Sequence, residues 1–176
     1  PKDLDFFNQA SKLTLKNAKL CAFGSTCRKG FSPEDDKNVN SLLQAQTPAV
    51  AIFGKSWDLH VTEILNISLD ENIDIVKNTV AYLVSKEKEV IFDAEHFFDG
   101  YKSNPEYALK VLKAAELGGA STLVLCDTNG GTMPSDVFEI TRTVKEMFIS
   151  CSVGIHCHND TGCAVANSML AVKAGV

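Results

Sequence analysis

The segment STLVLCDTNGGTMPSDVFEITRTVKEMF, residues 121–148, contains one complete unit of the pattern that organises this chain. Residues 121–126 are a nearly continuous apolar run, as expected of a strand buried on both faces rather than of a half-exposed one. Polar and glycine residues follow at 127–132, and residues 135–148 then show the spacing of an amphipathic helix behind Pro134.

The same order recurs on both sides. Apolar runs at 19–24, 49–53, 89–93 and 152–157 read as further strands, and 36–44, 69–85 and 105–117 as the helices between them. Asp36 behind Pro33 and Asn104 before Pro105 supply helix starts, and Gly118 with Gly119 supplies a stop. Helices are also expected at about 3–13 and 163–174. The strand starts lie 30, 40, 32 and 31 residues apart, which is the length of a strand, a crossover helix and two loops.

Two architectures are built from such units, the closed eight-stranded barrel and the doubly wound open sheet. In this chain every unit carries its polar cluster just after the strand, at 24–26, 54–56, 93–99, 127–132 and 156–160, rather than at one switch point. A rim supplied by all units belongs to a barrel. The expected fold is therefore α/β, a TIM (β/α)8 barrel present as a partial barrel of about five strands. It would lack the first two strands and the last, with 1–176 as the central part of a catalytic barrel domain.

The 176 residues are 45% hydrophobic and 22% charged with a net charge of −5, which suits a packed domain and argues against nucleic-acid or anionic-membrane partners. No apolar run approaches the roughly 20 residues of a membrane span. The opening PKDLDFF lacks the apolar stretch of a signal peptide, so a cytoplasmic location is expected. None of the six cysteines forms a C-x-x-C pair, which favours reduced packing thiols over disulfides and over reactive thiols at Cys126, Cys157 or Cys163.

His156 and His158 lie one residue apart at the end of the fifth strand. Alternation sends both imidazoles to one face, with about 7 Å between them along the backbone. That is a spacing for metal ligands, and equally one for two histidines bonded to neighbours. Asp127 and Thr128 end the preceding strand; a carboxylate and a hydroxyl there suit substrate binding, while D-T-N-G-G also reads as a plain turn. Asp93 and Glu95 share a face at the end of the third strand, with Glu95 the better candidate for acid–base work. Arg28, Lys29 and Lys55 are rim cations able to meet an anionic substrate or coenzyme phosphate, although solvated surface charge is the default for such residues. His60 is either a rim histidine or a cap.

Taken in order, FGSTCRKG (23–30), AIFGKSWDLHVTEIL (51–65), VIFDAEHFFDGYKSNPEYAL (90–109), LVLCDTNGGTMP (123–134) and GIHCHNDTGCAVANSMLAVKAG (154–175) resemble the citramalate synthase branch of the isopropylmalate and homocitrate synthase family. The likeness covers essentially the whole chain, and KSWDLH and DAEHFFDG are its more specific parts. It implies a metal-dependent barrel that condenses acetyl-CoA with a 2-oxo acid, pyruvate in this branch, on the way to isoleucine. His156 and His158 would hold magnesium, manganese or zinc, Thr128 would contact the oxo-acid carboxylate, and Glu95 would act at the acetyl group. The full-length protein would be a homodimer.

The family's D-x-T-L-R-D-G and N-G-x-G-E-R-x-G-N motifs have no counterpart in residues 1–176, so the isolated stretch is expected to be inactive. Alternatives are a 2-isopropylmalate synthase, a related hydroxyacyl-CoA lyase, and an inert fragment or interaction module.

Overall fold

The structure is a computed structural model and describes residues 2–176. Five strands, β1 (Cys21–Ser25), β2 (Ala49–Lys55), β3 (Glu89–Glu95), β4 (Thr122–Asp127) and β5 (Ser152–Cys157), form one sheet in the order β1-β2-β3-β4-β5. Every neighbouring pair is parallel, with Ala49 opposite Glu89, Phe92 opposite Leu123 and Cys126 opposite His156. A doubly wound sheet reverses its strand order at a switch point; this one never does, and it is a sector of a barrel.

Eight α-helices accompany the strands among the described residues: α1 (Lys2–Ala10), α2 (Lys37–Gln44), α3 (Asp58–His60), α4 (Leu69–Ser85), α5 (Phe97–Ser103), α6 (Pro105–Gly118), α7 (Pro134–Met147) and α8 (Ala164–Lys173). Helices α2, α4 and α6 start where a side chain satisfies free N–H groups. Asp36 accepts from the Asn38 and Val39 amides at 2.7 and 3.1 Å, Ser68 from Glu71 at 3.1 Å, and Asn104 from Tyr107 at 3.1 Å. Asp36 is thus the cap of α2, and Pro33 to Asp35 lie in the turn before it. Helix α6 stops at Gly119, whose φ of 97° is the left-handed conformation that ends helices.

The core lies between the sheet and its helices. Val50, Ile52, Phe92, Leu123 and Leu125 point toward Val76, Val80, Leu83, Val111 and Leu112, and all are fully buried. Alternate strand positions point the other way, and that face is largely open: Phe23 is 64% exposed there. One face packed by helices and one left bare is what a barrel sector requires, the bare face being the barrel interior.

Two strands run further than their apolar runs. β2 and β3 each continue two residues, to Lys55 and Glu95, because Gly54 and Ala94 keep the packed face small while the two charged residues pair across the ladder. Two features were also missed in the sequence. Helix α3 passes into a single π-helical turn, Val61–Leu65, and α5 begins directly after β3 in what reads as a rim loop. Helix α5 starts from His96, held at φ 57°. It presses so closely on the end of β2 that a Cβ on Gly100 would collide with the Ser56 carbonyl. A seven-residue helix with one glycine at its centre carries too little periodicity to be seen beforehand.

Candidate active site on the inner face

The open face collects the chemistry at the C-terminal ends of the strands. Asp93 of β3, Cys126 of β4 and His156 of β5 bring a carboxylate oxygen, a sulfur and a ring nitrogen within 4.8 Å of one another. The His156 Nδ1 lies 3.8 Å from Asp93 Oδ2, and the His156 and His158 rings stand edge to face with centroids 5.0 Å apart. His156 therefore joins Asp93 and Cys126, and the His158 ring stands against it one residue further along. Burial raises the Asp93 carboxyl above the ordinary range, and His156 beside it pulls in the opposite direction. Burial, with the charges of Asp93 and Glu95, pushes the Cys126 thiol far up. Cys126 is accordingly a protonated thiol, inert as a nucleophile, that would ligate only by giving up its proton.

Nitrogen, oxygen and sulfur donors gathered at a strand end, with part of the group open to solvent, fit a divalent cation that keeps positions free for a substrate. The His156 side chain is half-exposed.

Glu95 sits one ladder step beyond Asp93 and forms an ion pair with Lys55, its register partner on β2. Both side chains are mostly buried, at 24% and 19% exposure. Thr128 lies just past β4, and its hydroxyl accepts the His96 backbone N–H at 2.8 Å. The His96 ring is fixed by Asp99 at 3.0 Å, and Asp99 also accepts from Asn129 at 3.0 Å, so the start of α5 and the β4 turn brace each other.

Asp127 is not brought to this group. Its side chain points into the helix layer and is fully buried, accepting from the Thr132 hydroxyl at 2.8 Å and from Asn167 of α8 at 3.4 Å. Neighbouring residues at a strand end face opposite ways, so Thr128 and Asp127 cannot both meet one ligand. Asn167 also donates to the Thr132 carbonyl at 2.9 Å, so α8 anchors the D-T-N-G-G turn from behind.

Trp57, His60 and His96 form a ring cluster beside Glu95, with His60 and His96 centroids 4.5 Å apart and Trp57 and His60 4.8 Å apart. Burial, then the nearby His96 and Lys55, lower His60 below the usual imidazole range. Between the ends of β1 and β2 lies a cleft of about 350 Å³ with Lys55 in its wall and Ile64 and Leu65 of the π-helical turn across from it. Arg28 pairs with Asp36 at 3.1 Å and Lys29 donates to the Leu65 carbonyl at 2.6 Å.

Sequence reasoning passed over Cys126 as a potential ligand and Lys55 as the partner of Glu95. Strand alternation was the available signal: 126 has the parity of 128, and 55 that of 53, but pairing across strands requires the register.

The chain is 61% identical to the (R)-citramalate synthase of Aquifex aeolicus over 175 residues, covering 99% of this chain and 33% of that protein. It is 52% identical to the (R)-citramalate synthase of Geobacter sulfurreducens, covering 100% and 33%. The chain thus spans about a third of the length of these relatives. Among solved structures, the HMG-CoA lyase of Bacillus subtilis superposes with a TM-score of 0.77 at 18% identity, over 98% of this chain and 56% of that one, a likeness of fold. A sequence profile described as HMGL-like matches residues 2–176. With its parallel barrel sector and with relatives of such high identity, the chain belongs to the HMGL-like family.

Proposed function

We propose that this chain is the central part of the catalytic barrel of a citramalate synthase, which condenses acetyl-CoA with pyruvate on the route to isoleucine. The observation that carries the reading is the meeting of His156 with Asp93 and Cys126 on the open face, with the His158 ring against that of His156, in a chain 44–61% identical to several (R)-citramalate synthases. His156 and His158 would hold a divalent magnesium, manganese or zinc ion, which supplies polarisation of the oxo-acid ketone when bound.

The other residues act directly. The Thr128 hydroxyl has an acceptor side filled by the His96 amide, so its own proton is directed outward, toward the carboxylate of the oxo acid. Glu95, paired with Lys55 of the cleft wall, takes the proton from the acetyl methyl group. Asp127 serves the site from behind by clamping the turn that carries Thr128. A cytoplasmic location suits six cysteines that are all free thiols. No helix among the described residues is long and apolar enough to cross a membrane.

The test is an assay of the full-length protein with acetyl-CoA and pyruvate, following release of the coenzyme thiol, beside His156→Ala. The reading expects turnover in the parent and its near-complete loss in the variant; equal activity in both would remove the metal-centred mechanism.

A further inference from the structure

Lys55 is the one residue that belongs both to the inner-face ion pair and to the cleft between β1 and β2. It closes β2 on the open face, and its side chain is only 19% exposed. The Glu95 Oε2 beside it has no aligned hydrogen bond from any other described residue, so the ammonium is its sole partner. An ammonium has three N–H donors. Glu95 is its ion-pair partner, and the same lysine lines the cleft, so donors beyond the one held by Glu95 are available to a ligand there.

The cleft wall states what those donors would meet. Beyond Lys55 it is mainly apolar, formed by Phe53, Ile64, Leu65, Ile67 and Ile75, and at about 350 Å³ it is within the range of small-molecule sites. The π-helical turn places Ile64 and Leu65 there, and such turns recur at functional sites. Arg28 and Lys29 line the same cleft. A slender, largely neutral arm that carries one carbonyl at its inner end and anionic groups at its outer end matches this distribution. An acyl thioester of coenzyme A has that form.

We propose that Lys55 is a catalytic residue that donates to the carbonyl oxygen of the acetyl thioester, whose arm lies in the cleft between β1 and β2. The proposal rests on the condensing reaction given above. A fixed ammonium at that oxygen polarises the carbonyl, acidifies the adjacent methyl group and faces the place where negative charge builds as that carbon becomes a nucleophile. Glu95 on the other side holds the ammonium in position.

The experiment compares the full-length protein with Lys55→Met and Lys55→Arg, measuring kcat, the KM for each substrate, the pyruvate dissociation constant and the thermal midpoint. Lys55→Met is expected to lower kcat at least about 100-fold, the effect of losing one donor to a developing oxyanion, with pyruvate affinity within threefold of the parent. Lys55→Arg should recover part of kcat. A Lys55→Met protein with kcat within threefold of an active parent would overturn the role of Lys55 and leave the condensing reaction intact. A parent that consumes no acetyl-CoA with pyruvate would overturn both. Should Lys55→Met fail to fold, Lys55→Arg decides: full activity with unchanged KM for acetyl-CoA overturns the proposal, and a selective fall in kcat supports it.

Discussion

The Thr128 hydroxyl accepts a hydrogen bond from the backbone N–H of His96, 2.8 Å away and 32 residues earlier in the chain. Helix α5 begins at that point from a residue in the left-handed conformation, which turns the His96 amide toward β4 instead of into its own helix. The orientation of a side chain on one barrel unit is thereby set by the backbone of the unit before it.

Thr128→Val removes both the acceptor and the outward donor. A hydrogen bond to a charged group contributes about 1.5–3 kcal/mol, so the KM for the oxo acid should rise tenfold or more. The unpaired His96 amide should lower stability by about 1 kcal/mol or slightly more. Thr128→Ser should restore both, as read from steady-state kinetics and urea unfolding.

Asp127 is expected to act through stability. Its buried carboxylate accepts from Thr132 and Asn167, and Asp127→Ala leaves these donors unpaired in the helix layer. A loss of about 2–4 kcal/mol is expected, near the upper end for single substitutions. Asn167→Ala should show a smaller loss of the same kind, and in the double variant the two effects should fall short of additive because they share one network.

Asp36 gives a pH signature. Burial alone would raise its carboxyl, but bonds from the Arg28 and Val39 amides, the Arg28 guanidinium and the Asn38 amide outweigh this and leave it below the ordinary carboxylate range. The folded value is depressed, so its stabilisation is complete above about pH 4, where an unfolded aspartate is ionised, and disappears as pH falls through the folded value. Asp36→Asn should flatten the loss of stability below about pH 4. At neutral pH Asp36→Ala should cost about 0.5–2 kcal/mol as a lost helix cap, measured by chemical unfolding.

Cation binding separates the inner-face donors. Titration of the metal-stripped full-length protein with manganese or zinc should show at least a tenfold weaker dissociation constant in His156→Ala and in His158→Ala, about 1.4 kcal/mol each. Sulfur favours softer ions, so Cys126→Ser should weaken zinc more than manganese. Equal affinity across all three variants would place the cation elsewhere.

The strand runs, the caps at Asp36 and Asn104 and the stop at Gly119 could be read directly, because each depends on residues within a few positions of one another. The same holds for the shared face of His156 and His158, which follows from strand alternation alone. Helix α5 could not be read, since its start rests on a left-handed His96 and its close approach to Ser56 on a glycine, both enforced by distant neighbours. Lys55 shows the limit most clearly: by composition it is an ordinary charged rim residue, and only the β2–β3 register turns it into the partner of Glu95.

The amino-acid order by itself determined a repeating parallel strand–helix chain with polar strand ends, because local periodicity and turn chemistry act over short separations. The tertiary structure decided which polar side chains meet. Sheet register brought Asp93, Cys126 and His156 together from three strands, and one step of alternation turned Asp127 into the helix layer, away from Thr128. Such meetings depend on where separate units stack, and no single stretch of sequence carries that geometry.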